Sequence, residues 1–117
     1  MKYQEKAYTF ARYGDITYPF LSLGEEAGEV LGKLAKAVRK SQGSTPTEIL
    51  EAIVGAQTDS EIKLRSDIIK ELGDVMWQLA ACCTELNITL EDIQNVNIAK
   101  LEGREVRGTI IGSGDDR

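Results

Sequence analysis

"PFLSLGEEAGEVLGKLAKAVRK", residues 19–40, sets Leu23, Ala27, Val30, Leu31, Leu34 and Val38 at the three- and four-residue spacing of one helical face. Pro19 suits a first helical turn, where its missing N–H is no loss, and Arg39 and Lys40 suit the negative end of the helix dipole. The stretch reads as an amphipathic helix that must bury its apolar face against other helices. Its anomaly is acidic: Glu25, Glu26 and Glu29 stand inside that pattern, and three carboxylates so close repel one another.

Working outward, residues 2–12 read as a short helix with Tyr3, Ala7, Phe10 and Ala11 turned inward, closed by a break at Gly14 and Asp15. Downstream, Thr45, Pro46 and Glu48 form a capping box that starts a short helix to about Val54. After a break over residues 55–59, Ser60 is expected to cap a long helix to about Leu86. Its apolar face would carry Ile62, Ile68, Ile69, Leu72, Val75, Met76, Leu79, Cys83 and Leu86. Thr89, with Asp92 three residues on, caps a last helix through about Gly103. No strand pattern and no repeat is evident. The expectation is an all-α fold of four main antiparallel helices, with an extra short helix between the second and third. The domain is placed at residues 1–104. Residues 105–117, rich in Gly and without periodicity, read as a tail that is mobile or ordered only by a ligand or neighbouring subunit.

Composition narrows the chemistry. A chain of 117 residues fits one domain with a modest core, and the wide apolar stripe of the long helix suggests a homodimer or homotetramer. The net charge of −5 argues against binding nucleic acid or anionic lipid, since both need clustered Lys and Arg. No segment approaches a membrane span and no signal peptide is evident, so a cytoplasmic location is expected. Cys82 and Cys83 are adjacent on a helix, poor geometry for a disulfide, and read as reduced core thiols. Histidine is absent, which removes the commonest general base and every imidazole triad.

What remains is carboxylate chemistry. Glu26 and Glu29 lie three apart on the second helix, and Glu71 and Asp74 repeat that spacing on the long one. Both pairs border the apolar stripes, between Leu23 and Val30 and between Ile68 and Val75, so they face the packing interface or its rim. A single helical Glu is ordinarily a solvated flank charge. Two facing pairs differ, because clustered carboxylates are destabilised by desolvation and repulsion unless cations neutralise them. Oxygen-only ligands favour Mg²⁺ first and Mn²⁺ second. Di-iron bundles use a Glu-x-x-His motif that this chain lacks.

The pattern "EEAGE" (25–29) followed by "ELGD" (71–74) resembles the EExxE…ExxD signature of the MazG-like nucleotide pyrophosphohydrolases, in the all-α NTP pyrophosphatase superfamily. "YQEKAYTFARY" (3–13) resembles that family's first helix, residues 18–36 its second, and "NIAKLEGR" (97–104) the N-x-x-K-L-x-x-R of its last. Two departures stand out: the interval between Glu29 and Glu71 is longer, by the helix near 46–54, and the tail lacks the family's aromatic ending.

The resemblance implies that Glu26, Glu29, Glu71 and Asp74 bind Mg²⁺, with Glu25 a further ligand or the group that orients the attacking water. It also implies that Asn97 and Lys100 contact substrate. Lys36 and Arg104, with Lys33 and Arg107, are candidates for the phosphates, although solvated or dipole-compensating roles at helix ends weigh as much. Trp77 can stack on a base, but packing is the weightier reading. The implied activity is hydrolysis of a nucleoside triphosphate between its α and β phosphates. Specificity for dUTP, dCTP or phosphoribosyl-ATP, a noncatalytic helical interaction module and a metal-buffering bundle are the competing readings.

Overall fold

The computed structural model describes residues 2–117, and their regular structure is entirely helical: α1 (Tyr3–Tyr8), α2 (Tyr18–Ser41), α3 (Pro46–Val54), α4 (Asp59–Glu85) and α5 (Leu90–Arg107). Three of the starts are capping boxes. The Thr45, Thr58 and Thr89 hydroxyls accept from the N–H groups of Glu48, Glu61 and Asp92, whose carboxylates accept from the threonines' own N–H groups in return.

Three helix boundaries and the tail differ from the sequence reading. α1 ends at Tyr8 rather than residue 12, because the Thr9 hydroxyl takes the Lys6 carbonyl and the N–H groups of Phe10 and Ala11 tighten to carbonyls three residues back. α4 is capped by Thr58 rather than Ser60, since only Thr58 has a glutamate three residues on. α5 runs to Arg107, four residues past Gly103, and stops at Gly108, whose φ of 70° is left-handed. The tail is held by this chain's own groups: the Arg117 guanidinium donates to the carbonyls of Thr109 (2.8 Å), Ile110 (2.9 Å) and Gly114 (2.6 Å).

α2 and α4 form the body of the molecule, packed antiparallel so that Tyr18 and Glu26 lie near Trp77 and Gln78 while Lys40 lies near Lys63. α3 bridges one end of the pair and α1 lies on α4. Gln4 pins α1 to the α4–α5 turn, with its amide donating to Thr84 Oγ1 (3.1 Å) and the Ile88 carbonyl (2.9 Å) and accepting from the Leu90 N–H (2.8 Å).

The core is small. Ala7, Ile53, Ala80, Ala81, Cys82 and Cys83 are its buried apolar residues, and both cysteines are free thiols whose pKa burial pushes up. Ile62, Ile69, Leu72, Met76 and Leu86 of the expected α4 face are instead about half exposed. α5 packs appreciably on α4 alone, leaving Val96 and Ile98 in solvent. The radius of gyration, 17.6 Å, well exceeds the roughly 13 Å of a compact chain this long.

Candidate metal centre

Three acids meet where α2 crosses α4. Glu26, Glu71 and Asp74 each offer a carboxylate oxygen, and these oxygens lie within 4.8 Å of one another. Glu71 and Asp74 share a face because they are one turn apart, and antiparallel packing brings Glu26 opposite them. All three are half-buried. Burial pushes the Glu26 carboxyl up from its ordinary pKa, and the negative charges of Asp74, Glu25, Glu71 and Glu29 push it further. Octahedral oxygens at the Mg²⁺ bond length sit about 3 Å apart when adjacent and about 4.2 Å when opposite. An all-oxygen trio gathered within 4.8 Å reaches that scale with a small closing movement of its side chains, and no nitrogen or sulfur ligand joins it among the described residues.

Glu29 stays outside the trio and exposed, close enough only for its charge to be felt by Glu26. Glu25 is likewise exposed. The nearest cation is Lys33, whose ammonium lies 3.8 Å from Glu71. Lys36 lines a separate groove between α2, α3 and α4 with Lys40, Lys63 and Asp67. Asn97 is exposed on α5. Lys100 and buried Arg104 converge on one oxygen of Asp115 in the tail, each at 3.3 Å, and the Arg107 guanidinium donates to the Arg117 carbonyl. No hydrogen bond or ion pair among the described residues joins these α5 groups to the trio.

Trp77 has the packing role expected of it, its Nε1–H donating to the Ala7 carbonyl (3.1 Å) and tying α1 to α4. Sequence reasoning missed the aromatic surroundings. Tyr3 is near enough for Asp74 to raise its pKa, second to burial. Tyr13 and Tyr18 stack at 5.7 Å between centroids, and the Tyr13 hydroxyl donates to Glu85 (2.5 Å). A run of Tyr and Phe around the α1–α2 loop was the available signal, but without the fold it is indistinguishable from core.

Helices that gather a carboxylate trio at one crossing define an all-α, acid-rich class. Within it, residues 19–108 match the MazG nucleotide pyrophosphohydrolase domain, and the chain belongs to that family. The Gene 37 protein of Mycobacterium phage L5 is 34% identical over 102 residues, spanning 87% of this chain and 76% of that protein. No solved structure matches.

Proposed function

We propose that the protein is a Mg²⁺-dependent pyrophosphohydrolase that splits a nucleoside triphosphate, a deoxyribonucleotide or a noncanonical one, between its α and β phosphates. Water adds across the P–O–P bond, and the products are the nucleoside monophosphate and pyrophosphate. The observation that carries this reading is the convergence of Glu26, Glu71 and Asp74 at the α2–α4 crossing; family membership supports it.

Glu26, Glu71 and Asp74 hold the cation, and Glu29, on the same face as Glu26, adds a fourth carboxylate to its surroundings. Bound Mg²⁺ supplies positive charge for the phosphate oxygens and acidifies the attacking water; Mn²⁺ can substitute. Glu25 orients that water and accepts its proton. Lys33, already beside Glu71, offers its ammonium to the leaving pyrophosphate. Asn97, Lys100, Arg104 and Lys36 complete the substrate contacts once the triphosphate is in place.

The assembly is a homo-oligomer, a dimer or a dimer of dimers. Half-exposed Ile62, Ile69, Leu72 and Met76 along α4, the outlying α5 and the expanded radius of gyration support a second copy on that face. Sedimentation of a stable monomer would contradict it.

The activity is tested by incubating the protein with deoxynucleoside triphosphates and Mg²⁺ and separating the products. Pyrophosphate with monophosphate is expected, and loss of at least a hundredfold in rate for Glu71→Gln or Asp74→Asn with the helical spectrum unchanged. Orthophosphate without pyrophosphate refutes the cleavage site. Metal-dependent stabilisation with intact nucleotides would favour a metal-buffering bundle, and no metal response at all a helical interaction module.

A further inference from the structure

Past α5 the chain turns back on itself. Gly108 and Gly114, at φ 70° and 88°, sit in the left-handed region that favours glycine, and the loop they bound returns Asp115 to the face of α5 that carries Lys100 and Arg104. Those two cations are one turn apart, and a single carboxylate oxygen of Asp115 lies 3.3 Å from each. Arg104 Nη2 also reaches the Gly114 and Asp115 carbonyls, at 3.5 and 3.4 Å.

The fit is poor on the arginine side. The Arg104 side chain is only 9% exposed, and a guanidinium so buried is destabilising unless its donors are satisfied. Its Nε is nevertheless the one buried side-chain nitrogen or oxygen among the described residues that has no hydrogen-bond partner. Nε–H and one Nη2–H lie along the same edge of the guanidinium, the edge that grips an oxyanion with two parallel bonds. Asp115 leaves half of that edge idle. Its 3.3 Å contacts are also long for charge-assisted hydrogen bonds, which run about 2.7 to 2.9 Å.

Little else secures the segment. The Asp115 side chain stays 83% exposed, and Ile110 and Ile111 beside it in the tail are exposed rather than packed. A permanent tether would have no use for Nε, since a lysine there would hold one carboxylate oxygen equally well. A phosphate group suits the two cations better: its several oxygens can accept from Nε, Nη2 and Lys100 Nζ together, which one carboxylate oxygen cannot.

We propose that residues 108–117 form an autoinhibitory clasp, in which Asp115 stands in for phosphate oxygens on Lys100 and Arg104 and must leave before a phosphate ligand can take both. The carboxylate is tethered, so it competes at a high effective concentration without sealing the site. Apparent affinity for the ligand then falls in proportion to the fraction of molecules whose clasp is open. That the phosphate belongs to a nucleotide substrate rests on the pyrophosphohydrolase reading; the clasp itself does not.

The full chain, isotope-labelled and in EDTA, is titrated with pyrophosphate while the Arg104 Nε–H resonance is followed by NMR, its assignment fixed by its loss in Arg104→Lys. The resonance should move downfield and saturate as Nε gains an acceptor. For Asp115→Asn the midpoint should fall about three- to tenfold, the worth of two partly exposed ion pairs. Asp116→Asn removes the same charge from a neighbour that forms no ion pair among the described residues, and its midpoint should match that of the native chain. In the hydrolysis assay Asp115→Asn should lower KM by a similar factor with kcat unchanged. A resonance that pyrophosphate leaves unmoved in both the native chain and Asp115→Asn overturns the proposal, as do equal midpoints for Asp115→Asn and Asp116→Asn. Pyrophosphate in EDTA needs neither metal nor turnover, so a chain that hydrolyses no triphosphate refutes only the activity. Hydrolysis with the same KM for the native chain and Asp115→Asn refutes only the clasp.

Discussion

Replacing Glu26 by Gln should stabilise the protein when metal is withheld and cost it the stabilisation that metal brings. Two unit charges 4.8 Å apart, the widest separation within the trio, repel by about 0.9 kcal/mol in water and about 3.5 kcal/mol at an effective dielectric of 20. The trio is half-buried, with the Glu71 side chain 19% exposed, so each pair lies between these limits. Glu26→Gln removes two of the three pairs and keeps the shape. Allowing for salt and side-chain movement, the gain is about 2 kcal/mol, or about 8 °C in Tm at about 4 °C per kcal/mol for 117 residues. The pH dependence has a definite sign. The Glu26 pKa is raised by burial and by its acidic neighbours, so the favourable protonated form is present below the ordinary carboxylate range and is lost as pH rises through the raised value. The advantage of Gln is therefore absent in acid and full at neutral pH. Mg²⁺ at a hundred times its Kd adds about 2.7 kcal/mol to the native protein and much less to the variant, closing or reversing the gap. Calorimetry at one protein concentration, in EDTA and in Mg²⁺, at both ends of that pH range reads all four values. A variant that melts lower in EDTA at neutral pH, or gains equally from Mg²⁺, refutes the reasoning.

Thr58→Ala should cost about 1 kcal/mol by removing the α4 cap, whereas Ser60→Ala should leave Tm almost unmoved; equal effects would contradict the capping assignment. Gln4→Leu strips three hydrogen bonds from the α4–α5 turn and should cost about 2 kcal/mol, with faster hydrogen exchange at the Leu90 amide as the local signature. Lys33→Met removes a cation 3.8 Å from Glu71 and should lower the half-saturating Mg²⁺ concentration by about two- to fivefold, the worth of a partly exposed ion pair, measured by titration calorimetry.

The helices were legible because each announces itself locally. Thr45 with Glu48 and Thr89 with Asp92 mark starts that the structure reproduces, and the 3.6-residue stripe of residues 19–40 became α2. Thr58 was legible too, through Glu61, but Ser60 stands as close to the apolar run and competes for the same role. Of the acid cluster, spacing alone gave Glu71 with Asp74, while bringing in Glu26 rather than Glu29 depends on where α2 crosses α4, which periodicity does not encode. The half-exposed α4 stripe reads identically whether a neighbouring helix or a second chain covers it.

The acids of the trio come from two helices, Glu26 from α2 and Glu71 and Asp74 from α4. A slip of one helical turn, about 5.4 Å, exceeds the 4.8 Å within which their oxygens gather. Holding a cation as proposed, the trio would act as a vernier on the α2–α4 seam: a repacking too mild to unfold the chain would still misalign the scale and be read out as lost cation affinity, far from any acid that was altered.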